Sequence, residues 1–289
     1  MVFAVSEAPE AGWISAQTIG SLLAAAVLIA SFLRIETRSV APLVPLRIFR
    51  SRTLVGGNLV LLTAGAAVDG MLIIVTLYAQ EVLGYSTVEF GLGVAVMTVA
   101  SVVGAIAGQA LVTRVGLRPV ALTGMILVAS SCLLLTQVSV DGSYFGDIFL
   151  GLLLFGAGLG ATFVASQIAG LSGVADREAG LAAGLVDSSF NIGSALGIGV
   201  LTSVALARTD AVIAGGGPPV DNALAMTEGY QTAFLVALGI AALGALVALA
   251  LFGRKSETDD ARIEAAQRVS PCPPVHASGV PAFAAERER

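Results

Sequence analysis

The chain has 289 residues, of which 56% are hydrophobic and 12% charged, with mean hydropathy +0.90 and a formal net charge of −5. Soluble domains carry roughly 25% charged residues, so these figures exclude an ordinary soluble enzyme and a basic nucleic-acid binder. They describe an all-α integral membrane protein, because only helices or closed barrels satisfy their backbone in lipid and the apolar runs show no period-two alternation.

Seven runs reach the roughly 20 apolar residues that a bilayer-spanning helix needs. The first is Trp13 to Leu33. The second, Thr53 to Gln80, contains a single carboxylate, Asp69, near its middle. The third runs from Phe90 to Val112, the fourth from Val120 to Val138 and the fifth from Phe145 to Leu171. The sixth is Gly180 to Leu206 and the seventh Thr232 to Phe252. Thr209 to Tyr230, which includes the turn-rich Gly215 to Pro219, reads as a long loop between the last two. The organisation expected is an N-terminal stretch and arginine-rich loop (1–52), a six-helix body (53–252) and a charged, Pro-containing tail (253–289) expected to be disordered. Residues Met1 to Gly12 carry Glu7 and Glu10 and no basic residue, which is unlike a signal peptide.

Basic residues orient the spans. Arg34, Arg38, Arg47, Arg50 and Arg52 follow span one, Arg114 and Arg118 span three, Arg177 span five, and Arg254, Lys255, Arg262, Arg268, Arg287 and Arg289 span seven. Alternating spans put all of these on one side and leave Arg208 alone on the other, so 14 of the 15 basic residues share a face. That face is expected to be cytoplasmic, in a cell membrane crossed several times, with the N-terminus outside and the C-terminus inside. The arginines from Arg34 to Arg52 are also suited to anionic headgroups, at about 1 kcal/mol each near the surface.

An acid at mid-bilayer costs on the order of 3 kcal/mol on the lenient insertion scale. Asp69 is therefore either a proton or cation site in a translocation path or an interhelical hydrogen-bonding group. Asp187 and Asn191 stand four apart, on one helix face, with Ser188 and Ser194 nearby. They and the membrane-embedded Asn58 and Gln167 carry the same two readings, a polar path or interhelical bonds of about 0.6 kcal/mol each. Arg114, Gly116 and Arg118 form a tight basic turn, read either as a gate latch or as topological anchoring. Glycine pairs at GxxxG spacing, Gly104/Gly108, Gly156/Gly160, Gly180/Gly184 and Gly193/Gly197, are expected to let helices approach closely. Cys132 and Cys272 belong to an apolar run and a polar tail, and the lone His276 is in that tail, so neither a disulfide framework nor a metal site is expected. With no Ser–His–Asp set, no enzymatic activity is expected.

Several stretches in order resemble one family. Gly12-Trp13, Glu36-Thr-Arg38 and Pro42-Leu-Val-Pro45-Leu-Arg47-Ile-Phe49-Arg50 look like the entry to the C-terminal half of the 14-helix drug:proton antiporters of the major facilitator superfamily. Tyr78-Ala-Gln80-Glu81-Val82-Leu83-Gly84-Tyr85-Ser86 with Gly91, the Arg114–Arg118 turn with Gly108 before it, and Ala179-Gly180 through Gly184-Leu185 with Gly193 and Gly197 are similar to later parts of that half. The resemblance covers Gly12 to Phe252. It implies a linker helix followed by a half-bundle of two inverted three-helix repeats, with Gly108, Arg114, Gly116 and Arg118 in a cytoplasmic gate. The family's Asp ahead of the first arginine is Thr113 here. The implied function is proton-coupled efflux of hydrophobic or cationic small molecules, driven by the proton gradient without a cofactor. The implied partners are the lipid bilayer, a small hydrophobic substrate, and a separate N-terminal half or a second copy. The other reading is a truncated or split membrane protein that serves only as an assembly partner.

Overall fold

The computed structural model describes residues 16–38, 51–172, 174, 178–215 and 222–252. The arginines at 47, 50 and 177, the segment 216–221 and the tail from 253 lie outside the described residues. The described residues form seven helices: α1 (Ala16–Arg38), α2 (Arg52–Leu77), α3 (Thr87–Val115), α4 (Leu117–Leu135), α5 (Phe149–Leu171), α6 (Ala179–Ala214) and α7 (Asn222–Leu251). Those from α2 to α7 are long and apolar enough to cross a membrane. The expected long loop from Thr209 to Tyr230 is instead mostly helix: α6 runs eight residues past Leu206, and α7 begins ten residues before Thr232. The polar residues in this stretch do not break the helices because they are used locally. Thr209 Oγ1 donates to the Ala205 carbonyl at 2.9 Å, Thr227 and Thr232 donate back to their own helix at 2.7 and 2.8 Å, and Arg208 pairs with Glu228 at 2.8 Å. At 1.5 Å per residue α6 is about 54 Å long, so it tilts or projects beyond a hydrocarbon layer of about 30 Å.

Helix boundaries follow from local chemistry. Ser51 caps α2 by accepting from the Leu54 amide at 3.3 Å. Ser86 and Glu89 form a reciprocal capping box at the start of α3, with the Glu89 amide donating to Ser86 Oγ at 3.3 Å and the Ser86 amide to Glu89 Oε2 at 2.9 Å. A single residue, Gly116, separates α3 from α4. Its φ of 90° is open to glycine and strained for other residues. Two π-helical turns, Tyr78–Val82 after α2 and Tyr144–Ile148 before α5, add one residue to the turn where helices meet the same end of the bundle.

Glycine contacts fix the packing. A Cβ on Gly193 would strike the Leu62 carbonyl oxygen and one on Gly197 the Ala66 carbonyl oxygen, while Gly65 and Gly70 meet Phe190 and Gly197 in return. The numbers rise together on both helices, so α2 and α6 run parallel. The same holds for α3 and α5, where Gly156 lies on Met97, Gly160 on Ser101, Gly104 on Ala157 and Gly108 on Ala161. In such seams the glycine hydrogen takes the place of the Cβ over a carbonyl oxygen, a weak contact of about 0.5–1 kcal/mol. Other neighbouring pairs are antiparallel: Gly56 of α2 meets Leu251 of α7, Gly151 of α5 meets Leu135 of α4, and Gly229 of α7 meets Ala205 of α6. The pattern is that of two interlocked three-helix repeats, α2–α4 and α5–α7, in which the first helix of each lies along the second helix of the other. Gly180 and Gly184 differ from expectation. Despite their spacing, a Cβ at either meets nothing within 4 Å, because both lie on the open face of α6, while Ala182 and Val186 on the other face are fully buried.

α2 with its π turn is the most buried of the spans, with Leu54, Val60, Leu61, Met71 and Ile74 of the helix and Tyr78 of the turn fully buried. The core continues through Met125, Val128, Phe155 and Phe234. The outer surface is lipid-compatible, with Val99, Val103 and Ile106 of α3 and Leu243 and Leu246 of α7 all exposed.

Candidate functional site

Four of the polar residues singled out from sequence meet near the end of the bundle that carries Arg52, Arg114 and Arg118. Gln167 Nε2 on α5 donates to Asp187 Oδ1 on α6 at 3.0 Å. One turn on, Asn191 Nδ2 donates to the Asp187 backbone carbonyl at 2.8 Å, so that amide is spent on its own helix. From α2, Asn58 Oδ1 accepts from Ser189 Oγ at 2.9 Å while its Nδ2 holds the Leu54 carbonyl at 2.9 Å. Ser189 was not anticipated; Ser188 and Ser194, its neighbours in sequence, are not in this network. Beside the cluster Phe163 and Phe190 meet edge to face, 5.8 Å between centroids. Asp187 and Asn191 are exposed, and among the described residues no cation pairs with Asp187. The arrangement joins three helices through neutral amides and one carboxylate, a wall that presents acceptors to whatever lies opposite.

Asp69 stands apart from this cluster. It lies eleven residues beyond Asn58 on α2, about 16 Å along the axis at 1.5 Å per residue. Its level on α6 is that of Gly197 and Leu201, ten or more residues past Asp187. Its side chain is half-buried and has no hydrogen-bond or ion-pair partner among the described residues. The accessible strip of α2 runs through Asn58, Leu59, Leu62, Asp69, Leu72, Ile73 and Thr76, which share one side of a helix largely closed in by its neighbours elsewhere. Asp69 is the acid on that strip.

The basic turn is compact. Arg114 is exposed and Arg118 half-buried at either side of Gly116, and among the described residues neither bonds a carboxylate. Thr113 Oγ1 donates to the Ala110 carbonyl at 2.8 Å. Gly108, expected to belong to this gate, lies two turns inside α3, where its missing side chain admits Ala161 of α5. This is the close helix approach expected from its spacing with Gly104.

The opposite end holds a denser network that sequence reading missed. Tyr230 Oη donates to Glu81 Oε2 at 2.6 Å, Tyr78 Oη to the Ser139 carbonyl at 2.8 Å, and Gln231 Nε2 to the Val138 carbonyl at 2.7 Å. These bonds tie α2, α7 and the turn after α4 together. A cavity of about 380 Å³ opens beside them, lined by Leu77, Glu81, Thr202, Ala205, Met226 and Tyr230 among others. The only signal in the sequence was the placement of tyrosines near the ends of apolar runs, where amphipathic rings sit at a membrane interface.

Comparison with known proteins gives this architecture its family. The chain matches the Major Facilitator Superfamily over residues 8–198 and again over residues 59–285. It is 30% identical, over 90% of its length, to the tetracenomycin C resistance and export protein of Streptomyces glaucescens, of which it covers 55%. It is 28% identical over 90% of its length to a puromycin resistance protein of Streptomyces alboniger, covering 52% of that protein. To the multidrug resistance protein Stp of Mycobacterium tuberculosis it is 33% identical over 74% of its length, covering 39%. The chain thus spans about half the length, or less, of the curated relatives it matches. With a match over most of its residues and a bundle of apolar helices in interlocked repeats, the chain is a multi-pass membrane protein that belongs to the Major Facilitator Superfamily.

Proposed function

We propose that the chain forms one wall of a proton-driven exporter of hydrophobic or cationic small molecules. The observation that carries this reading is the strip on α2. A helix packed on almost every side leaves one face open, and an unpartnered carboxylate stands at its middle. In lipid such an acid is expected to face a water-filled path or a partner, and a single six-helix bundle provides one side of a path. Transporters of this architecture bind at the midplane between two bundles that rock against each other. Asp69 then takes up and releases the proton, while the Asn58–Ser189 and Gln167–Asp187–Asn191 bonds line the route toward the Arg114–Arg118 end, which faces the cytoplasm in a cell membrane. The resistance and export functions named for the relatives support the substrate class.

A second bundle closes the path. The second reading is an assembly component with no transport of its own. One experiment tests both. The chain is reconstituted in liposomes, alone and together with a second six-helix bundle, and accumulation of a cationic dye is followed under an imposed pH gradient. The exporter reading expects gradient-dependent dye movement only in the closed assembly, reduced at least about tenfold by Asp69→Asn with unchanged protein incorporation. Unaltered transport by D69N refutes the proton role, and an inert complete assembly refutes the exporter reading.

A further inference from the structure

At the end away from Arg114 and Arg118, Tyr85, the start of α3, the Tyr144–Ile148 turn and the start of α5 border an open cleft of about 340 Å³. Five of its lining residues are aromatic, Tyr85, Phe90, Tyr144, Phe145 and Phe149, and its one charged lining residue is Glu89. The rings are set against each other: Tyr144 and Phe145 at 5.2 Å and 84°, Tyr144 and Phe149 at 6.1 Å and 69°, and Phe145 and Phe149 at 5.5 Å and 42°. Phe90 is 4% exposed and forms the floor, whereas Phe145 is 78% exposed and stands at the rim. Tyr144 is fixed twice, its Oη donating to the Gly93 carbonyl at 2.7 Å and its amide to Tyr85 Oη at 3.3 Å. A Cβ at Gly93 would collide with the Tyr144 ring, so the glycine makes the space the ring occupies. The π turn Tyr144–Ile148 brings Tyr144 and Phe145 onto this wall. Glu89 is oriented by Ser86, whose amide and hydroxyl both bond Oε2, at 2.9 and 2.7 Å.

An interfacial aromatic belt accounts for rings scattered on a surface. It does not account for five rings bordering one cleft, three of them packed on one another, with a carboxylate held in place beside them. Ring faces attract cations through their quadrupole, and such cages recognise quaternary ammonium groups. We propose that this cavity binds a small organic monocation, an alkyl- or arylammonium with no attached anion. No Lys or Arg lines it, so the phosphate of a zwitterionic headgroup would face Glu89 with nothing to receive it. The site is far along the bundle from the Asn58–Asp187 cluster and does not depend on the transport reading.

The test uses the purified full chain in uncharged maltoside micelles, with benzyltrimethylammonium as the probe and neopentylbenzene, its uncharged isostere, as competitor. Binding is followed by calorimetry and by saturation transfer to the ligand methyl groups. The expected result is saturable binding of the cation that the isostere does not displace. Phe145→Leu, at an exposed rim position, and Glu89→Gln, which keeps the capping geometry, each weaken it by about 2–5-fold, and Phe145→Trp strengthens it, as expected for contacts of this class. Equal displacement by neopentylbenzene, or an affinity untouched by all three variants, overturns the proposal. Phosphatidylcholine added to the micelles is expected to leave the affinity unchanged. Displacement of the probe by it would make a lipid headgroup the occupant and overturn the assignment to a free cation.

Discussion

Replacing Gly193 by alanine is expected to destabilise the bundle, whereas the same change at Gly184 is expected to stabilise it. Two terms compete. Alanine is favoured over glycine in a helix interior by about 1 kcal/mol, and that gain applies at both positions. At Gly184 nothing stands within 4 Å of the new Cβ, so the gain is kept. At Gly193 the Cβ is driven onto the Leu62 carbonyl oxygen, backbone that cannot rotate aside as a side chain would. Overpacking of this kind costs about 1–3 kcal/mol, and separating α6 from α2 also forfeits the contacts at Gly65, Gly70 and Gly197 along the same seam. The net expectation is a loss of about 1–2 kcal/mol for G193A against a gain of up to about 1 kcal/mol for G184A. Thermal unfolding of the purified chain in detergent, read by the loss of the monodisperse chromatographic peak, measures the difference. Midpoints that move in the same direction for the two variants would refute the seam argument. Gly160→Ala, set against the Ser101 carbonyl in the α3–α5 seam, is expected to behave as G193A does.

Gly116→Ala should cost about 1–2 kcal/mol, since a φ of 90° is strained for any residue with a Cβ; an unchanged unfolding midpoint would count against the need for glycine at this turn. Tyr230→Phe removes the 2.6 Å bond to Glu81 and is expected to cost about 1 kcal/mol, visible as faster amide exchange where α2 passes into its π turn. A cysteine placed at Arg114 in a chain freed of Cys132 and Cys272 should react with an impermeant maleimide only after cells are opened. Labelling of intact cells would invert the proposed orientation.

The spans were legible because the cost of burying backbone in lipid leaves few alternatives to a long apolar helix. Their ends were less so at α6 and α7, where Thr209, Thr227 and Glu228 look like loop residues until their bonds to the preceding turn and to Arg208 are seen. Gly104, Gly156, Gly193 and their partners announced themselves by spacing, but Gly180 and Gly184 share that spacing and touch nothing. Spacing shows that a smooth face exists; only the fold shows whether another helix reaches it. The candidate site was legible as a set of residues and not as a geometry. Asp187 and Gln167 are twenty residues apart in sequence and bonded in space, whereas Asp69, read alongside them, stands at a different depth. Ser189 could not be told from Ser188 without knowing which faces α2. The bonds of Tyr78, Tyr230 and Gln231 to distant carbonyls left no pattern in the chain, because any backbone oxygen can serve as acceptor.

Each of the two glycine seams joins a helix from the first repeat to a helix from the second. The connection between repeats, the turn from Thr136 to Ser143, is therefore covalently single but mechanically redundant. A bundle nicked there remains held along two independent lines of contact, and neither fragment can leave without both seams opening. The two repeats therefore tilt together as one body. Under the proposed exporter reading, the hinge is expected outside both seams, at the open strip of α2.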